Sequence, residues 1–270
     1  MGSLEGFDRT TFTHNGKERD VFRAGTGPAV IVMAEMPGIT PKVLDFARRV
    51  VDIGCTVAVP HLFGEPGRDP YSGGSLRMAA YVMSSMAPAC ISREFTVLAT
   101  GHTSPVVDWL RALARSLHAE CGGPGVGAVG MCFTGNFALA LMVDSPVNAP
   151  VLSQPSLPFG IGKARRRDLA ISDADLAEVK VKCATEDLTV LGLRFTGDRF
   201  VPPERFERLR EELGDRFVAV EIDSSKGNPY GNPPAAHSVL TEHLIDEEGS
   251  PTRDALEQVL DLYRKRLLSG

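Results

Sequence analysis

No stretch of this chain is apolar for long enough to cross a bilayer, and its N-terminal MGSLEGFDR has neither a basic n-region nor an apolar h-region. The expectation is a cytoplasmic protein with no membrane partner. The five cysteines, Cys55, Cys90, Cys121, Cys132 and Cys183, form no CxxC and no paired framework, so reduced thiols are expected. Only six histidines are present, dispersed without ligand spacing, and neither a metal nor another cofactor is implied. Basic charge is also short: 29 Lys and Arg against 34 Asp and Glu leave a net charge of −5, and the only basic cluster is Lys163 to Arg167. Such a cluster reads as a solvated loop, and a nucleic-acid partner is not expected. Internal repeats and low-complexity segments are absent. What remains, 270 residues of which 43% are hydrophobic, is enough for one α/β domain over residues 1–270 with an ample core.

The chain opens with two alternating segments, RTTFTH and ERDVFRA, around Asn15-Gly16, the turn chemistry of a β-hairpin. Continuous apolar runs with β-branched residues then recur at Pro28 to Glu35, Cys55 to Pro60, Val126 to Val129, Ala149 to Ser153, Leu188 to Phe195 and Arg216 to Asp223. Such runs mark strands buried on both faces of a parallel sheet. Helical patterns separate them. One begins at the Thr40 N-cap and Pro41 and ends at Gly54, one spans about Ser75 to Val97, and one starts at Ser104. Others open at a Ser172–Asp175 capping signal, run from Arg205 to Leu213, and end the chain near Leu268. The alternation predicts an α/β fold, a mostly parallel doubly wound sheet with helices on both faces.

The stretch Gly125 to Ala140, GVGAVGMCFTGNFALA, organises the rest. An apolar strand meets Gly130, then a sharp corner carrying Met131, Cys132 and Phe133, then a helical run. In a nucleophile elbow the central residue sits on a strained turn and its neighbours two places away must be small. Gly130 meets that demand fully, Thr134 in part, with Gly135 behind it. Unpaired amides at the helix start favour a thiolate and then an oxyanion. Two other readings compete: a buried packing cysteine, and a GxGxxG at Gly125, Gly127 and Gly130. The second lacks the strand it needs before its first glycine, where SLHAECGGP reads as a helix end and a turn.

A thiol nucleophile needs a base, and the base an orienting acid. Asp198 follows the penultimate strand and His237 follows the last one, giving the chain order nucleophile, acid, histidine of α/β-hydrolases. Asp223 and His243 are the substitutes.

These residues resemble the dienelactone hydrolase family of α/β-hydrolases, through AEMPG at Glu35, GMCFTG at Cys132, GDRFVPP at Asp198 and AAHS at His237. The resemblance runs from about Pro28 to the C-terminal helix. It implies a Cys132–Asp198–His237 triad, oxyanion donors in the backbone N–H groups of Met36 and Phe133, and a Glu35 that contacts the resting thiol. It further implies hydrolysis of small carboxylic esters or lactones. Three departures stand out. Thr134 replaces a family glycine, and Thr241 replaces a substrate-binding arginine four residues after the histidine. The other arginine aligns with Arg93 or, alternatively, Arg77. Residues 155–187, including KARRR and the Ser172 helix, are extra chain expected to rim the pocket, with Phe63, Phe133, Phe159 and Trp109 near it. The missing arginine and these aromatics suggest an alternative, a carboxylesterase or thioesterase for a larger uncharged acyl group. A rival from another class is a ligand-binding or thiol-sensing protein on the same fold.

Overall fold

The computed structural model describes residues 4–92, 94–95 and 98–269. Among the described residues, eight strands, numbered in chain order, form one sheet in the order β1-β2-β4-β3-β5-β6-β7-β8. β1 (Asp8–His14) and β2 (Lys17–Ala24) form the expected hairpin, and Asn15 and Gly16 both take positive φ, 49° and 71°, as a two-residue turn of this kind requires. β2 runs antiparallel to β4 (Thr56–Pro60), and from there every pairing is parallel. β3 (Ala29–Met33), β5 (Val126–Met131), β6 (Val147–Ser153) and β7 (Val190–Phe195) form the middle of the sheet, with β8 (Phe217–Ile222) at the far edge. β3, β5 and β7 are buried at every residue, because helices cover both faces.

On one face lie α1 (Pro41–Asp52), capped by the Thr40 side chain on the Val43 amide, and α8 (Pro251–Tyr263), which continues as a π-helical turn to Leu268. On the other lie α3 (Val106–Cys121), α6 (Asp173–Thr185), with Ser172 Oγ capping the Asp175 amide, and α7 (Pro203–Leu213). α2 (Gly74–Ile91) ends well before Val97, because Ser92 turns extended and its hydroxyl accepts from the Glu94 amide. α2 buries only a narrow stripe, Tyr81, Ser85 and Ala89.

The helical run after Cys132 also differs from expectation. One 3₁₀ turn, Cys132–Thr134, is followed by the four-residue α4 (Phe137–Ala140), and the amides of residues 139–143 bond to a mixture of i−3 and i−4 carbonyls. The segment is buried from Phe133 through Val143 and its path is set by tertiary contacts: Asn136 donates to the Leu157 carbonyl at 2.5 Å. Of residues 155–187, α6 is an ordinary crossover between β6 and β7, buried through Leu176, Val179 and Cys183. The rest is largely irregular loop around the short α5 (Lys163–Arg167). That loop is pinned from within by Arg205, fully buried on α7, whose guanidinium donates to the carbonyls of Pro155, Pro158, Arg165 and Asp168. Burial lowers the Arg205 pKa to about 10, with the Asp168 carboxylate opposing the shift.

Among the described residues, no helix is long and apolar enough to cross a membrane.

Candidate active site

Cys132 sits immediately after β5 with φ of 51°, the left-handed region that costs a non-glycine residue on the order of 1–3 kcal/mol. The turn is tight enough to explain its neighbours. A Cβ on Gly130 would lie 2.1 Å from the Thr134 carbonyl oxygen, and one on Gly135 would lie 2.4 Å from the Pro155 Cα. Thr134, the departure from the family glycine, is buried and has a task of its own. Its hydroxyl accepts from the Met131 amide at 2.9 Å and lies 2.9 Å from the Met33 carbonyl, tying the elbow to the end of β3.

His237 and Asp198 meet where the sequence suggests. His237 Nδ1 lies 2.7 Å from Asp198 Oδ2, and Oδ1 accepts from the Phe200 amide at 2.9 Å, so both carboxylate oxygens are engaged. The Phe200 ring stands edge-on to the imidazole at 5.5 Å between centroids. His237 Nε2 is sealed from solvent and has no hydrogen-bond partner among the described residues. Burial by itself would lower the His237 pKa. A negative charge on Cys132 together with the Asp198 carboxylate outweighs it and holds the value well above the usual histidine range. That shift favours the protonated form of the imidazole.

The substitutes are committed elsewhere. His243 Nδ1 accepts from the amides of Ser238 and His237 at 3.2 and 3.4 Å, and burial, then the charge on His237, lower its pKa, consistent with a neutral acceptor bracing the histidine loop. Asp223 accepts from the Ser225 amide at 2.8 Å and closes a turn.

Glu35 is buried, 4% exposed, and its hydrogen bonds run to neutral groups rather than to the thiol. Ser238 Oγ donates to Oε2 at 2.5 Å, Gln154 Nε2 donates to the same oxygen at 3.2 Å, and the Thr241 hydroxyl donates to Oε1. The residue standing where the family arginine would be therefore serves Glu35. The side chain that meets the sulfur is Ser156, whose hydroxyl lies 3.6 Å from Cys132 Sγ and 3.1 Å from the Gln154 carbonyl, while its amide donates to the Cys132 carbonyl at 2.9 Å.

Sequence reasoning missed Gln154 and Ser156. The one available signal was SQPS, a polar run closing the apolar strand β6, where a residue on a buried loop has to find partners.

The other expected pocket residues divide. Phe63 packs edge-on against Phe133 at 5.7 Å, and both meet Phe95, forming an aromatic wall behind the elbow. Phe159 also stands edge-on to Phe133. Trp109 is brought to the hairpin rather than to this wall: its indole N–H donates to the Lys17 carbonyl at 3.0 Å and its ring packs on Phe12 and under Arg19. Trp109 points there because α3 lies beneath β1, so an apolar residue on its buried face meets the hairpin. Arg93 lies outside the described residues. Among the described residues, no group of three or more His, Cys, Asp and Glu side chains is arranged to hold a metal.

A central parallel strand ending in a left-handed elbow, with an acid after β7 and a histidine after β8, is the arrangement of an α/β-hydrolase. The chain belongs to the dienelactone hydrolase family, whose model matches residues 20–267.

Among solved structures, the chain is similar to a candidate dienelactone hydrolase from Klebsiella pneumoniae subsp. pneumoniae, with 18% identity, 96% of this chain and 98% of that one covered, and a TM-score of 0.62. It is also similar to the dienelactone hydrolase-like promiscuous phosphotriesterase P91 from metagenomic libraries (16% identity, 97% and 98% covered, TM-score 0.60). A third similar structure is a cold-adapted esterase from an Arctic intertidal metagenomic library (15% identity, 96% and 93% covered, TM-score 0.52). These likenesses are of fold. No curated protein matches the chain.

Proposed function

We propose that the protein hydrolyses small carboxylic esters or lactones through Cys132 by way of an acyl-enzyme. The observation that carries this reading is the left-handed Cys132 at the end of β5, coupled in charge to a His237 whose Nδ1 is held by Asp198 at 2.7 Å. The Cys132 thiolate attacks the carbonyl carbon, and the resulting oxyanion is received by the amide N–H groups of Met36 and Phe133. The C–O bond then breaks, and the Nε2 proton of the His237 imidazolium goes to the departing alkoxide. In the second half, neutral His237 takes a proton from water, hydroxide attacks the thioester, and the acid leaves with return of the thiolate. Asp198 holds the Nδ1–H throughout, fixing the tautomer and stabilising the imidazolium.

Glu35 acts as a positioning residue: its carboxylate ties the loop before Met36 to Ser238 and Thr241 beside His237. Because the thiolate is a good leaving group, activated acyl groups are favoured over amides. A second reading, a larger uncharged acyl chain, is supported by the aromatic rings of Phe63, Phe95 and Phe159 that stand edge-on around Phe133 beside the elbow.

The deciding experiment compares wild type with Cys132→Ala on p-nitrophenyl acetate, a dienelactone and a simple aliphatic lactone. The expected outcome is turnover by wild type on at least one and loss of it in the variant. Full retention of turnover by pure Cys132→Ala protein would refute the assignment. A chain-length series of nitrophenyl esters separates the second reading, which requires the rate to rise with acyl length.

A further inference from the structure

Gln154 is fully buried just beyond the end of β6, and its φ of 35° lies in the left-handed region, a costly conformation for a residue with a side chain. Glycine would take that conformation freely, but it would lose every side-chain bond made here. The Gln154 main-chain amide donates to the Leu193 carbonyl at 2.8 Å, and its carbonyl accepts from the Ser156 hydroxyl at 3.1 Å. Its side-chain nitrogen donates to Glu35 Oε2 at 3.2 Å. Its side-chain oxygen accepts from the Val239 amide at 3.3 Å and from the Ser153 hydroxyl.

These bonds lead to different parts of the site. Leu193 lies on β7, the strand that delivers Asp198, and Val239 lies two residues after His237. Glu35 immediately precedes Met36, the proposed oxyanion donor, and Ser156 stands 3.6 Å from Cys132 Sγ. Acyl transfer requires nucleophile, oxyanion donor and base to be aligned in one transition state, and a misplacement of about 1 Å costs on the order of 10²-fold in rate. One side chain thus spans the gap between the oxyanion loop and the histidine loop. A carboxamide suits that junction. The Glu35 carboxylate needs a donor and the Val239 N–H needs an acceptor, and glutamine offers one of each. The ionisable groups on the loops it joins are Glu35, Cys132, Asp198, His237, Glu242 and His243, and among the described residues only Glu35 bonds to it.

We infer that Gln154 is a positioning residue for the reaction, setting the oxyanion loop, the histidine loop and the Ser156 turn in register through the bonds of its main chain and carboxamide. This inference rests on the ester-hydrolase reading of the site and adds a residue to it that touches no reacting atom.

The test is hydrolysis of p-nitrophenyl acetate by the full-length protein, with kcat expressed per acylatable Cys132 so that a partly unfolded sample does not lower it. Gln154→Met keeps the length of the side chain and removes both polar atoms. Its kcat should fall about 10- to 100-fold while KM stays within about threefold. In Gln154→Glu the new carboxylate faces Glu35, and only a shared proton lets the two meet as donor and acceptor. This variant should come within about tenfold of wild type near pH 5.5 and lose activity as pH rises to about 8, a loss that wild type does not share. Adding Glu35→Gln to Gln154→Glu leaves one carboxylate at the junction and should remove that pH dependence. An unchanged kcat per active thiol in Gln154→Met, or a wild-type pH profile in Gln154→Glu, would overturn the inference. The second variant decides the matter if the first does not fold. Alkylation of Cys132 by iodoacetamide needs no turnover, and in Gln154→Glu it should be at least about threefold slower than in wild type near pH 8. If wild type cleaves no ester while this slowing is seen, the hydrolase reading fails and the positioning role stands.

Discussion

Two carboxylates, Asp198 and Glu35, lie on either side of the histidine loop, both about 95% buried, and their surroundings differ in kind. Asp198 faces a titratable partner, the His237 imidazole, with a single backbone amide on its other oxygen. Glu35 faces only neutral donors: two hydroxyls and an amide. A carboxylate opposite an imidazole alters the charge state of that ring and so enters the chemistry. One wrapped in neutral donors serves as a fixed knot between loops. Sequence position alone makes the two look equivalent, since each follows a buried strand.

The largest expected break in this comparison is at Asp198. Replacing it with Asn removes the charge and disturbs the His237 tautomer, and kcat on an activated ester should fall about 10⁴-fold, with the fold retained by circular dichroism. The same pair fixes a sign for pH. Because the folded-state pKa of His237 is raised, its contribution to stability is complete below the unfolded value near 6.5 and disappears as pH rises through the higher folded value. Wild type should therefore exceed His237→Gln in Tm by a margin that shrinks with rising pH above neutrality. A margin that grows would reverse the assignment of charge.

At Glu35 the break should be structural. Thr241→Val keeps the shape but removes one donor from a buried carboxylate, and should lower stability by about 1–3 kcal/mol in urea unfolding. It should leave the pH dependence of activity in place, which Asp198→Asn should not. The smallest effect is expected at Ser156. Its hydroxyl can donate to the thiolate, so Ser156→Ala should slow alkylation of Cys132 by iodoacetamide by about three- to tenfold. An unchanged alkylation rate from pH 6 to 9 would show that the 3.6 Å contact has no influence on the sulfur.

The parts of the molecule that could be read from sequence are those decided by local chemistry. Asn15-Gly16 dictates a hairpin turn, Thr40-Pro41 a helix start, and Ser172 another, whatever surrounds them. Asp198 and His237 were legible because the strand count places the ends of β7 and β8 at the same edge of the sheet as Cys132. The unread parts depend on partners distant in sequence. Trp109 looked like a pocket residue until α3 was laid beneath the hairpin. The irregular α4 depends on Asn136 reaching Leu157, and with so short a helix the dipole expected to help the thiolate is reduced to little more than a turn, leaving His237 and Ser156 as its polar support. A Glu35 contact with the thiol is what the family resemblance implies, whereas the hydrogen bonds of its carboxylate go to Gln154, Ser238 and Thr241, from two other loops.

Arg205 has a consequence of another sort. It holds the loop that carries Ser156 past the thiol, yet every bond it makes goes to a main-chain oxygen, never to a side chain. A clamp that reads only the course of the backbone is indifferent to most of the residues strung along it. The exposed side chains of Ile161, Lys163 and Ala164 can drift, or be randomised in a library, while the loop keeps its course. The rim of this site is therefore the place where a lineage, or an engineer, can try new specificities without first redesigning the scaffold.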